Sequence, residues 1–360
     1  MKRFIAICTL ILVIILLYTL YANRNEIFLG RNVNRGGENI IYKVDGARER
    51  SFATYRESLI ITDNQQILAL NKNGKVAWEI PFVTKNPIMA VNGAYILVAD
   101  RGGSDFLVIK DGRVMAQITA SGDIFTAKVN SKGYVSLATT EDGYKSKISV
   151  YNNFGTEIYT WRISDNYVLD CEVSPDGTRL VAALFMTQEE KIYGSLAFVD
   201  IVDKKIIERP SYQNCIFHSV KYGKNGNVLA VSDTAALYYD KNGKNLWNNN
   251  FQGRTLQKYS FENNRNVIFI FQNSRNTSTL ESYSMEGKLN GSLELGYEVK
   301  NISYNNDVIV AGGTRDLGVF KNAKQKTVLK LNSDIRWQGL MPDRRSVFVV
   351  HGNNIEIIKP

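Results

Sequence analysis

"NKNGKVAW" at residues 71–78 and "DKNGKNLW" at residues 240–247 are nearly the same octapeptide, with Gly fourth and Trp eighth in both copies. Asn73-Gly74 and Asn242-Gly243 read as two-residue hairpin turns, whose positive φ both residue types tolerate at low cost. Each turn leads into a short strand-like segment that carries the large ring of Trp78 or Trp247. A related element, "NNFGTEIYTW" at residues 152–161, places Trp161 two positions further from Gly155. A ring at such a place can wedge against a neighbouring sheet, so a shared offset from a turn points to a structural repeat.

The repeat extends beyond the octapeptide. Apolar strands follow turn residues at "SLIITD" (58–63), "AYILVAD" (94–100), "GYVSLAT" (133–139) and "TRLVAAL" (178–184). They continue at "NVLAVSD" (227–233), "NVIFIFQ" (266–272), "DVIVAGG" (307–313) and "SVFVVHG" (346–352). Most are followed by a second short strand such as "QILALNK", a turn, a third such as "GKVAWEI", and a fourth such as "NPIMAVN". Four strands in roughly 40 residues make one blade of a β-propeller. A lone four-stranded sheet cannot cover its own faces, and stacked blades cover each other. The spacing therefore predicts an all-β fold with eight blades over residues 39–360, with seven as the alternative. The last unit runs out of chain after three strands, and "NIIYKV" at 39–44 is expected to supply the fourth, closing the ring.

The chain opens "MKRFIAICTLILVIILLYTLYANRNE". Residues 4–22 carry no charge, and nineteen residues at about 1.5 Å each match a hydrocarbon core of about 30 Å. The run exceeds the apolar stretch of a cleaved signal peptide, and Leu20 sits where cleavage needs a small residue. The expected order is a cytoplasmic tail (1–3), an uncleaved transmembrane helix (4–22), a polar linker (23–38), and a propeller outside the cell. Charges flanking the span are nearly balanced, so the orientation rests on the shortness of the tail.

The "xxNGKxxW" element resembles the repeat of quinoprotein (PQQ)-type propellers. "SPDGTRLVAAL" at 174–184, with Pro175, Asp176 and Gly177 in its turn, resembles the turn of other bacterial, WD40-like propellers. Anchor and propeller together are similar to an uncharacterised family of membrane-anchored propellers from low-GC Gram-positive bacteria. These motifs are specific for architecture and not for an activity. The quinoprotein likeness would imply a quinone stacked on Trp, a Ca²⁺ held by carboxylate and amide oxygens, and an Asp base. No compact carboxylate and amide cluster stands out to hold the ion, and no cofactor or metal is expected.

Catalytic motifs are missing too: there is no GxSxG, Walker A, HExxH or Cys-His arrangement. The chain has two histidines and three cysteines. His218, in "CIFHSV", belongs to an inner-strand candidate and could face the central channel. His351 ends a strand before Gly352 and reads as a loop residue. Cys171 and Cys215 fall in apolar runs and read as free buried thiols. The net charge is +9, but the basic residues are scattered, without the interleaved aromatics of a nucleic-acid surface.

The expectation is a monomeric interaction or scaffolding module without catalysis, held at the membrane and engaging an envelope protein. Propellers with similar repeats serve so in outer-membrane assembly, an analogy of fold alone. Two alternatives remain: a ligand or polysaccharide sensor using loops "GYK" (143–145), "NYV" (166–168) and "GYE" (296–298), and a quinone-dependent redox enzyme. Function is expected where the repeats disagree, at the channel mouth and in the fourth and sixth units.

Overall fold

The computed structural model describes residues 40–44, 50–262, 265–273, 276–321 and 323–360. The tail, apolar span and linker expected over residues 1–38 lie outside them. Regular structure among the described residues is entirely β. The strands form eight antiparallel sheets, so the molecule has eight blades rather than seven.

Blade 1 comprises Ser51–Tyr55, Ser58–Thr62, Gln66–Leu70 and Val76–Pro81, numbered outward from the axis. The inner strands of blades 2, 3 and 4 are Pro87–Asn92, Ile124–Val129 and Tyr167–Val173. Those of blades 5 to 8 are Phe217–Tyr222, Thr255–Glu262, Asn301–Asn305 and Ile335–Leu340.

The strand period of two explains how the blades stack. In the second strand of blade 2, Tyr95, Leu97 and Ala99 pack with Val135, Leu137 and Tyr151 of blade 3. The intervening Ile96 and Val98 pack with Ile60 and Ile67 of blade 1. Both faces are covered, so no position is left for a polar residue and the run is continuously apolar. Eight such clusters exist, one between each pair of neighbouring blades. The one joining Leu59 and Ile61 of blade 1 to Phe348 and Val350 of blade 8 shuts the ring.

Blade 8 draws Ile335–Leu340, Val347–His351 and Asn354–Ile358 from the end of the chain. Its outermost strand is Ile40–Lys43, antiparallel to Asn354–Ile358 with Tyr42 opposite Ile355. Val44 N–H donates to Asn353 O at 2.8 Å. Strand direction alternates within a blade. Turns between strands one and two, and between three and four, therefore open on one face of the disc, where Ile40 and Pro360 also lie. We call it the chain-end face. Turns between strands two and three, and the links between blades, open on the opposite face.

The octapeptides join third and fourth strands. Their turns differ from the two-residue form. Gly74 N–H donates to Asn71 O at 2.9 Å, and Asn71 N–H donates to Lys75 O at 2.9 Å. Of each Asn-Gly pair only the glycine has positive φ, +74° at Gly74 and +86° at Gly243. The loop is three residues long and ends in a bulge, as the register shifts after Ala69 and Tyr238 show. The residue that decides this is the first. Asn71 Oδ1 accepts from Asn73 and Lys75 N–H at 2.9 and 3.1 Å, and Asp240 Oδ1 does the same for Asn242 and Lys244 at 2.8 and 3.0 Å. Such side-chain acceptance favours a type I turn over a primed one. Asn152 repeats it around Gly155.

The tryptophans lie against the next blade. A Cβ placed on Gly112, in the matching turn of blade 2, would sit 2.7 Å from Trp78 Cδ1. Trp247 covers Gly287 of blade 6 in the same way and donates from Nε1 to Met285 O at 2.9 Å. Ala116 takes the place of Trp over Gly155, and the backbone carbonyl of Ile41 lies over Gly74. Trp161 joins the cluster between blades 3 and 4. In the Ser-Pro-Asp-Gly turn, Gly177 N–H donates to Ser174 O at 3.0 Å and Asp176 Oδ1 accepts from Thr178 N–H at 3.1 Å. Pro175 completes that turn, and the Tyr134 ring of blade 3 rests on Gly177.

This seat predicts a contrast. Gly112 (φ +75°) and Gly143 (φ +79°) share a backbone conformation, but a Cβ on Gly143 meets nothing within 4 Å. Gly143→Ala is expected to cost about 1 kcal/mol from φ alone. Gly112→Ala is expected to cost about 2 kcal/mol more, because Trp78 must move. Paired thermal melts check the difference.

Candidate functional site

Inner strands of all eight blades line an axial cavity of about 890 Å³. The Gly93, Ser131 and Lys224 turn positions among its walls put it toward the chain-end face. Inside it, four blades are braced by one polar cluster. Lys128 of blade 3 donates from Nζ to Asp170 Oδ2 of blade 4 at 2.5 Å and to Val220 O of blade 5 at 2.6 Å. Glu172 Oε2 lies 3.5 Å from the same ammonium. Asp170 Oδ2 also accepts from Val220 N–H at 2.9 Å and Ser219 Oγ at 3.2 Å. Tyr259 of blade 6 donates its hydroxyl to Ser219 Oγ at 2.5 Å.

The electrostatics follow from burial against pairing. Desolvation works against the charged ammonium of Lys128, but Asp170 and Glu172 outweigh it and hold its pKa above the usual lysine range. Burial raises Glu172, with Lys128 and Lys221 pulling in the opposite direction. Burial likewise raises the Tyr259 phenol. The ammonium stands between the two carboxylates as a covalently attached cation, with its donors already engaged. Chemically this is a cross-brace. Its sequence signal was charge in the largely apolar inner strands: Lys128 in "TAKV", Asp170 and Glu172 in "DCEV", and Lys221 in "SVKY".

His218 lies near the start of the blade 5 inner strand and is exposed. It sits at the bulge between Phe217 and Ser219, with its ring 6.4 Å from that of Tyr259. Partial withdrawal from water lowers its pKa. It is absent from the walls of the axial cavity, which lies further along the strands. His351 differs from its loop reading. It is buried, with Nδ1 2.6 Å from Ser333 Oγ and Nε2 3.1 Å from Glu356 Oε1. The final strand, Asn354–Ile358, brings Glu356 there.

The residues do not fit a stacked quinone with its Ca²⁺. Trp337, on the cavity wall, packs on Phe52 at 5.8 Å, and its ring edge abuts Gly339. Trp78, Trp161 and Trp247 belong to outer strands. Among the described residues no three His, Cys, Asp or Glu side chains converge as metal ligands.

Cys171 and Cys215 are free and buried. Burial pushes the Cys171 thiol up to about 12 and raises that of Cys215. Both are thiols at neutral pH, so neither is a ready nucleophile. Ellman titration of the native protein at pH 8 is expected to miss both, with both appearing after denaturation.

On the opposite face, blade 4 breaks the repeat. Its second and third strands, Arg179–Gln188 and Lys191–Asp200, are ten residues each, and the register holds to Gln188–Lys191. The tip is Glu189-Glu190, both at positive φ, an acidic turn in a conformation usually left to Gly or Asn. A fifth strand, Ser211–Gln213, pairs with Tyr193–Ser195. Beside the hairpin Tyr167 stacks on Phe185 at 5.3 Å, with Lys145 Nζ 5.1 Å above the Tyr167 ring. Tyr144 and Tyr167 are exposed. Tyr297 instead fills the space beside Gly313 and Gly318, and its hydroxyl donates to Ala311 O at 3.0 Å.

A family model described as a family of unknown function (DUF5711) matches residues 38–359. The chain belongs to DUF5711. No curated protein matches it. The computationally designed protein Ika8 resembles this DUF5711 member at a TM-score of 0.62 and 11% identity, over 89% of this chain and 100% of its own. BamB from Moraxella catarrhalis resembles it at 0.53 and 10% identity, over 88% and 96%. The β-propeller domain of Myceliophteria thermophila Cps50 (Swd1) does so at 0.52 and 11%, over 90% and 100%. At these identities the likeness carries the fold alone.

Proposed function

We propose that this DUF5711 protein is a membrane-tethered interaction module. Residues 4–22 span the membrane with the N-terminus in the cytoplasm. The propeller stands outside the cell and engages an envelope protein without catalysis. The observation that carries the reading is the blade 4 hairpin. It is the place where a regular blade gains a long acidic finger, a fifth strand and an exposed aromatic shelf. Recognition residues sit on such departures from a rigid scaffold. The axial brace, by contrast, spends its polar groups on itself.

The test trims the finger. Replacing residues 187–192 by Asn-Gly keeps Met186 opposite Tyr193 and leaves the fifth strand its partner. Full-length and trimmed proteins are each purified from detergent-solubilised membranes. A stoichiometric partner that follows the full-length chain and is lost on trimming supports the reading. If neither form retains a partner, the scaffold reading is wrong. If both retain the same one, the finger is not its contact.

A further inference from the structure

Resting on that tethered reading, we infer that the chain-end face of the propeller lies flat against an anionic phospholipid bilayer. Three features of this face converge.

The first is a set of exposed apolar side chains around the outer hairpins. In blade 8 the outer strand begins with Ile40, and the outer hairpins of blades 1 to 6 carry Val76, Val114, Phe154, Val202, Leu246 and Leu289. Their exposures run from 38% to 77%. A single exposed apolar residue needs no explanation. Seven consecutive blades each carry at least one within three residues of the start of the outer strand, whereas the opposite face exposes four, Val83, Tyr144, Tyr167 and Ile192. The outer strand has no stacking reason for it, since its inward wedge is the residue over the next blade's turn.

The second is charge. The same outer hairpins carry exposed Lys75, Lys204, Lys244, Lys288 and Lys324 in blades 1, 4, 5, 6 and 7. The opposite face mixes exposed Asp105, Asp123, Asp142, Glu189, Glu190 and Asp233 with exposed Lys85, Arg101, Lys145 and Lys191. On the chain-end face exposed Glu57, Asp111, Asp176, Asp203 and Glu286 are outnumbered by lysines and arginines, Arg56, Lys72, Arg113, Arg344 and Arg345 among them, so the side with the apolar residues carries the net positive charge. Cationic side chains beside shallow apolar ones are what an anionic lipid surface binds.

The third is where the chain enters. Ile40 sits on this rim, next to a cleft of about 570 Å³ between blades 8 and 1 lined by Ile41, Met341, Lys72 and Lys359. The polar linker of residues 23–38 would hold the disc at a mean distance of roughly 20 Å from the membrane. At that effective concentration many weak contacts are enough. A protein partner would have to match a perimeter spread around the whole disc, whereas a fluid planar surface needs no matching. An acidic polymer would satisfy the lysines and leave the apolar side chains wet.

The experiment uses the full-length chain in a Cys8→Ser background, reconstituted in vesicles doped with a headgroup-nitroxide lipid. Single cysteines carrying a fluorophore are placed by Val202→Cys and Leu246→Cys on the chain-end face, and by Tyr144→Cys and Glu190→Cys on the other. In phosphatidylglycerol-containing vesicles the first pair is expected to be quenched at least threefold more than the second. In pure phosphatidylcholine, in 0.5 M salt, or with Lys204→Glu, Lys244→Glu and Lys288→Glu combined, the difference is expected to vanish while the protein still floats with the vesicles. Equal quenching of both pairs in floating protein overturns the docking and leaves the tether standing. So does a chain-end face that cross-links to a protein or acidic polymer while its labels stay unquenched. Protein that does not float overturns the tether, and the docking with it.

Discussion

A chain starting at residue 45 should melt roughly 10 °C below one starting at residue 38, and should self-associate where the longer form stays monomeric. The difference is one strand. Ile40–Lys43 supplies the outer edge of blade 8 through its ladder with Asn354–Ile358. Losing it removes a handful of backbone hydrogen bonds, each worth about 1 kcal/mol net. It also uncovers the cluster between blades 8 and 1, where Val44 is buried and Ile41 and Tyr42 pack against Phe348 and Ile355. Ile41 is in addition the residue that seats against Gly74 of the next blade. Together these come to about 5 kcal/mol, and for a domain of this size each kcal/mol moves Tm by about 2 °C. The bared edge of Asn354–Ile358, with Ile355, Ile357 and Ile358 beside it, is then a template for strand addition. Calorimetry and size-exclusion chromatography of the two truncations measure both effects. Equal melting points would mean that the ring holds shut on blade packing alone.

The architecture was legible in the chain because its signals are local or periodic. Each second strand is buried on both faces and so reads as an unbroken apolar run, such as Tyr95–Ala99 or Val347–Val350. The turns between strands carry their own Gly, Asn and Asp. What escaped reading depends on residues that meet across blades. Gly112 looks like any turn glycine until Trp78, from the preceding blade, is found lying on it. Asn71 and Asp240 open turns whose type depends on their side chains, a preference that the more conspicuous Asn-Gly pair hides. Ser211–Gln213 has neither the length nor the alternation of a strand, and only the overlong third strand of blade 4 offers it an edge. The brace at Lys128 joins three inner strands through residues more than forty positions apart, and no motif records such a spacing. Its visible trace was charge, Lys128, Asp170 and Glu172, in largely apolar inner strands.

That brace is the second place where one substitution should have a large effect. Lys128→Met keeps the length of the side chain and removes the cation. Asp170 is then left 5% exposed and Glu172 5% exposed, with no counter-ion on Lys128, and breaking a buried pair from one side costs about 3–5 kcal/mol. The pH dependence separates this cause from a loss of packing. In the native protein burial already raises Glu172, against the opposing pull of Lys128. Without the ammonium the carboxyl rises further, so the folded variant holds a proton that the unfolded chain has released. A carboxyl raised in the folded state contributes its stability fully below the ordinary value of 4.5. That contribution is lost as pH climbs through the raised value. The gap between wild type and Lys128→Met should therefore be widest at neutral pH and narrow toward pH 5. Lys128 itself, held above the usual lysine range, keeps its contribution to wild-type stability throughout that window. A second change completes the test. Adding Asp170→Asn and Glu172→Gln to Lys128→Met removes the orphaned charges and should recover most of the loss. Urea titrations at pH 5 and pH 7.5 on the three proteins decide the matter. A gap independent of pH, with no recovery in the triple variant, would make the cluster a matter of shape rather than charge.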